Sequence, residues 1–118
     1  MANRVKQMLR LAATIAQKTT DKRRNFLLGA IAIRSDGVLV SASNLPARQK
    51  TPEAHAEYRV SRKLDVGATV FVARKNRRGG GLGYAKPCLR CESAMRSKGV
   101  KRCFYTINNT KFGVLTLG

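Results

Sequence analysis

Apolar positions along the chain change their period several times, and each change marks an element. Val5, Met8, Leu9, Ala12, Ile15 and Ala16 recur at three- and four-residue intervals, which predicts a helix over 3–18 with one apolar face. Arg4, Lys6, Arg10 and Lys18 fall mostly off that face, and Asn3 is placed to cap it. Phe26 to Arg34 is an apolar, β-compatible run, Ser35-Asp36-Gly37 is a tight-turn signal, and Val38 to Ser43 resumes the strand, so a hairpin is expected. Asn44 to Thr51 reads as a loop. Pro52 suits the first turn of a second helix, with Thr51 as cap and an end near Leu64. Gly67 closes it, and Ala68 to Ala73 reads as a third strand. Arg74 to Lys86 runs RKNRRGGGLGYAK, with four glycines, five cations and no acid, and predicts a flexible cationic loop. Pro87 sits where a third helix can start, running to about Ser97 and ended by Gly99. Lys101 to Thr106 and Phe112 to Leu117 complete the set as fourth and fifth strands around the turn Asn108-Asn109-Thr110.

Helices alternating with strands predict an α/β protein: a single domain over 1–118, built as a three-layer α/β/α sandwich around a five-stranded mixed sheet. A parallel pair needs a crossover of about a dozen residues or more, and the last two strands are joined by far fewer. They are therefore expected to be antiparallel.

Composition narrows the picture. A length of 118 residues suits one compact domain, and 43% hydrophobic residues support a modest core, which argues against a disordered tail. No apolar run approaches the roughly 20 residues of a spanning helix. The first segment is interrupted by Lys6, Gln7 and Arg10, so it lacks the apolar centre of a secretory signal. These features predict a cytoplasmic protein with no membrane partner. Three cysteines in such a setting point to metal ligands or core residues and away from a disulfide framework.

The net charge of +18 adds a clue to the partner. A free nucleoside needs no cationic field, and a nucleotide with about two charges is satisfied by a few cations. The excess fits a polyanion whose phosphates release counterions on binding. Arg74, Lys75, Arg77, Arg78 and Lys86 are the candidate phosphate contacts, and Tyr84 is a candidate platform for a stacked base. The plainer reading of the same residues is a solvated loop, and of the N-terminal cations a solvated helix face.

The chemistry lies in two short motifs. His55-Ala56-Glu57 is followed by Pro87-Cys88-Leu89-Arg90-Cys91, the order found in zinc nucleobase deaminases. Cys88 and Cys91, three apart at a helix start, present both thiols to one side, and the positive end of the helix favours thiolate. Imidazole and two thiolates suit zinc, and three protein ligands leave a fourth position for water, as in catalytic sites. Zinc lowers the pKa of such a water towards about 7. Glu57, two residues past His55, is placed to take the proton and pass it to the ring nitrogen and the leaving amine. Other readings stand beside this one. Cys88-x-x-Cys91 alone could be a redox pair, and Cys103 would make a closed Cys3His structural site possible, although it also reads as a buried strand cysteine.

From Phe26 to Leu117 the chain resembles the cytidine deaminase-like superfamily, which includes cytidine, deoxycytidylate, tRNA adenosine and polynucleotide cytidine deaminases. The resemblance implies that fold, Zn2+ held by His55, Cys88 and Cys91, a proton shuttle at Glu57, and a homo-oligomer. It also implies that the Ala56 backbone N–H meets the base carbonyl and that Asn44, eleven residues before His55, touches the sugar. The stretch Pro87-Cys88-Leu89-Arg90-Cys91-Glu92-Ser93-Ala94-Met95 looks more like the tRNA adenosine and deoxycytidylate branches, whereas the short final hairpin looks more like the free-nucleoside branch. The expected activity is hydrolytic conversion of cytosine to uracil in a nucleotide, of the CMP or dCMP type, or in single-stranded nucleic acid. The alternatives are deamination of adenosine in RNA and, in a different class, a basic nucleic-acid-binding protein with an inactive deaminase fold; Glu57 argues against the last. The small size also fits a phage-encoded protein acting in its host cell.

Overall fold

The computed structural model describes residues 2–16, 26–43, 64, 66–76, 81–87 and 89–117. The amphipathic first segment forms α1, Ala2–Ala16, which begins one residue before Asn3, the expected cap. The hairpin forms as read: β1 is Phe26–Ile33 and β2 is Leu39–Ser43, antiparallel with Ile33 opposite Leu39. Its turn closes through the Asp36 carboxylate, which accepts from the Val38 N–H at 3.0 Å, an Asx-type bond that explains the aspartate there. The helix expected over Pro52–Leu64 lies outside the described residues apart from Leu64, which packs half-buried against the core.

The third strand departs from expectation. β3 is Thr69–Asn76 and carries three residues more than the apolar run, through Arg74 and Lys75. It pairs with β1 over its whole length, Thr69 opposite Ile33 and Asn76 opposite Phe26, and a two-residue strand β4, Leu82–Gly83, folds back onto Arg74 and Lys75. Backbone groups with ladder partners on both sides hold a strand that side-chain polarity alone would end. The expected cationic loop over 74–86 is therefore a hairpin at its base, and the sheet has six strands where five were expected. The helix α2, Leu89–Ser97, follows, then β5, Arg102–Thr106, and β6, Phe112–Thr116.

The strand order is β2-β1-β3-β5-β6, with β4 on the side of β3. β3 and β5 are parallel, joined by the crossover through α2, and β5 and β6 are antiparallel as their short link requires. Alternation along the strands makes two apolar faces. Ile31, Phe71 and Ala73 meet Leu9, Ala12 and Ala13 of α1 on one side. Ala30, Ala32, Val70, Val72 and Cys103 meet Met95 and Val100 on the other. The layers are helix, sheet, helix, as the alternation implied.

Two glycines make this packing possible. A Cβ on Gly29 would strike the α1 main chain at Ala12 and Ala16, so β1 and α1 touch backbone to backbone there. Gly99 has φ +78 and ends α2 in a Schellman motif, with the Gly99 N–H donating to Arg96 O and the Val100 N–H to Met95 O, both at 3.1 Å. That turn drops Val100 into the core beside Met95, and each buried side chain of this size contributes about 1.5–3 kcal/mol.

Candidate active site

Parallel strands joined by a helix leave a crevice beyond their carboxyl ends, where helix N-termini converge. In this chain the crossover from β3 to β5 brings the start of α2 to that edge. Cys91 sits in the first turn of α2 and is completely buried. The approach to it is tied down by one residue at the end of β5. Thr106 donates its hydroxyl to Gly83 O at 2.6 Å and accepts from the Arg74 N–H at 3.2 Å, while its carbonyl accepts from the Ala85 N–H at 2.9 Å. Thr106 is thereby the one buried polar side chain among the described residues, with 2% exposure. It joins β3, β4 and β5 at one point, immediately before the cysteine segment.

Past this clamp the chain alternates in and out. Ala85 and Pro87 are buried; Tyr84 and Lys86 are exposed. The Tyr84 ring meets Tyr105 edge-on at a centroid distance of 5.9 Å and keeps 55% of its surface open, so one ring is supported from beneath and still reachable by solute.

The structure thus gathers Arg74, Tyr84, Lys86 and Cys91 at the same end of the sheet. It separates Lys75 from them. Strand alternation puts Arg74 on the face of Val70 and Val72, and Lys75 on the α1 face beside its cross-strand partner Leu82. Asn44, His55, Ala56, Glu57, Arg77, Arg78 and Cys88 lie outside the described residues. Cys103 belongs to the core cluster on the α2 side, packed with Val70, Val100 and Leu117, which is the strand role its position suggested. The sequence analysis did not single out Thr106. Its signal was faint: a threonine closing a strand is common, and only the register shows that it faces the returning hairpin.

Residues 2–107 match the family model for the cytidine and deoxycytidylate deaminase zinc-binding region, and the chain belongs to that family. Among solved structures it is similar to a cytidine deaminase from Burkholderia pseudomallei, with 18% identity over 95% of this chain and 91% of the other and a TM-score of 0.69. A cytidine deaminase from Mycobacterium leprae aligns at 16% identity over 94% and 91% of the two chains, with a TM-score of 0.61. One from Mycobacterium tuberculosis aligns at 17% identity over 87% and 86%, with a TM-score of 0.52. At these identities the likenesses establish a shared fold. No curated protein matches the chain. No helix among the described residues is long and apolar enough to cross a membrane.

Proposed function

We propose that the protein is a zinc-dependent cytoplasmic deaminase that hydrolyses the exocyclic amine of cytosine, giving uracil, in a nucleotide or in single-stranded nucleic acid. The observation that carries this reading is the order His55-x-Glu57 then Pro87-Cys88-x-x-Cys91 within the family match, with Cys91 buried in the first helical turn at the carboxyl edge of the parallel strands. The donor chemistry fits zinc: a buried sulfur at Cys91, a second at Cys88 three residues earlier in the chain, and the imidazole of His55. Bound there, zinc would supply an activated water at neutral pH.

The chain's own residues do the rest. Glu57 accepts a proton from the attacking water and passes it to the ring nitrogen; it then takes the proton of the hydroxyl added to the base and passes it to the exocyclic amine, which leaves as ammonia as the carbonyl forms. The Ala56 N–H donates to the base carbonyl and fixes the base in the pocket, and Asn44 holds the sugar. Arg74 and Lys86 supply positive charge at the mouth, and Tyr84 offers a ring to a base beside the target. Thr106 acts through position, keeping the segment before the cysteines in one register.

The test is mass spectrometry after incubation with cytidine, deoxycytidine, their monophosphates, and single-stranded DNA and RNA containing cytosine or adenine. A gain of about one dalton on a cytosine-containing nucleotide or oligonucleotide is expected, from exchange of an amine for an oxygen. A gain confined to adenine would move the assignment to RNA adenosine. No gain on any substrate by zinc-loaded protein overturns the enzymatic reading.

A further inference from the structure

The sheet face under α1 carries a groove that deamination does not use. Its floor is aromatic. Phe71 and Phe104 stack with centroids 5.4 Å apart and planes 12° from parallel, and Phe104 meets Phe112 edge-on at 6.0 Å. Phe71 is buried, but Phe104 and Phe112 are only half-buried, and Val114, opposite Phe104, is 48% exposed. Arg4 of α1 and Arg102 of β5 stand exposed at the groove. Its volume is about 430 Å³, within the roughly 300–1,000 Å³ of ligand clefts.

A second crevice lies further along β5. It adjoins the first at Phe112, and Arg102 in one and Thr106 in the other lie about 13 Å apart along β5 at 3.3 Å per residue. Lys6, Arg10 and Lys111 line the second crevice with the amides of Asn108 and Asn109, and Phe112 lines both. No acidic side chain among the described residues lines either one.

We propose that this face is a track for single-stranded nucleic acid, with bases stacked on Phe104 and Phe112 and phosphates along Arg4, Arg102, Lys6, Arg10 and Lys111. Aromatic rings exposed on a sheet bind bases through their faces whatever the base, and flanking cations follow the backbone. Charge selects this occupant. A second copy of a chain with net charge +18 would bring like charge to a cation-lined groove, whereas a polyanion is drawn to it. The cations are strung along the face from Arg102, at the start of β5, to Lys111, past its end, which suits the successive phosphates of a strand. Thr106 lines the second crevice and also holds the segment leading to Cys91. The track therefore leads toward the edge where deamination is proposed. In that respect it rests on the deaminase reading; the binding itself requires no turnover.

Fluorescence anisotropy with labelled 15-mers of thymidine or uridine tests the track without catalysis, because neither base has an amine to lose. Arg4→Gln with Arg102→Gln is expected to weaken binding and to lower the slope of log K against log salt by about 1.4, at about 0.7 per phosphate on a single strand. Phe104→Leu, which keeps apolar bulk, is expected to weaken binding about fivefold or more. Photocrosslinking of 4-thiouridine oligonucleotides to the unaltered protein covers the case in which a variant fails to fold, and crosslinks should fall on the peptides carrying Phe104 and Phe112. Crosslinks that miss both peptides, or folded variants with unchanged affinity and salt slope, overturn the proposal. So would groove variants that alter sedimentation but not oligonucleotide binding, since the face would then be a contact between copies. Binding retained beside a blank deamination assay would sink the enzymatic reading alone, and the reverse result would sink the track alone.

Discussion

On the α2 side of the sheet, small and branched residues interlock at the centre: Val70, Val72, Val100, Cys103 and Met95 have at most 1% exposure, with half-buried residues such as Leu28, Tyr105 and Leu115 around them. On the α1 side, alanines at 12, 13 and 16 let the helix settle onto β1 and β3, but the rings of Phe104 and Phe112 beyond it stay half-covered. A closed face positions a site that must not move. An open aromatic face serves contact with something outside the chain. The same strands supply both, because alternate residues point opposite ways.

The sharpest way to break this division is through turnover. Glu57→Ala is expected to lower the deamination rate by about 10²- to 10⁴-fold while bound zinc, read by elemental analysis, stays at one equivalent of the parent's content. Retained rate would remove Glu57 from its role. Next comes the closed face: Met95→Ala should cost about 2–5 kcal/mol in urea unfolding, because the surrounding core can close only partly on the void. An equal loss from Phe112→Leu, expected to stay below about 1.5 kcal/mol, would erase the contrast between the faces.

Gly29→Ala asks whether α1 is seated as tightly as its contacts imply. The added methyl meets backbone, which cannot rotate away, so a loss of about 1–3 kcal/mol is expected by thermal melting. Thr106→Val removes one donor and one acceptor at the clamp and should cost about 1–3 kcal/mol, together with a fall in kcat larger than any change in KM if the clamp positions the cysteine segment. The smallest effect belongs to the surface of α2. Glu92→Gln weakens the pair with Arg96, 2.9 Å apart at i,i+4 on a partly solvated helix, and should change stability by less than about 0.5 kcal/mol.

Much of the fold was legible before the structure. Three- and four-residue spacing located α1, Ser35-Asp36-Gly37 located the first hairpin, and the short link after Thr106 dictated an antiparallel final pair. The error at Arg74 and Lys75 has a clear origin. A run of cations ends an apolar pattern, but a strand continues as long as its backbone finds partners, and β1 and β4 provide them. Pattern cannot register a partner that arrives from a distant part of the chain. The place of Cys91 in the first turn of a helix was legible because the helix-onset signal at Pro87 is local. Thr106 was not, since its importance comes from residues 23 and 32 positions away. The aromatic groove escaped for the same reason: Phe71, Phe104 and Phe112 become neighbours only through the β3–β5–β6 pairing.

The pairing of β4 with β3 has a consequence for how the protein can diversify. Arg74 and Gly83 are opposite one another in a fixed register, so the residues joining them form an insert whose two ends are anchored independently of what lies between. Doubling such an insert adds only about 0.6 kcal/mol of closure entropy. Its length and charge can be exchanged as a cassette while β3 and α2 on either side of it keep their places.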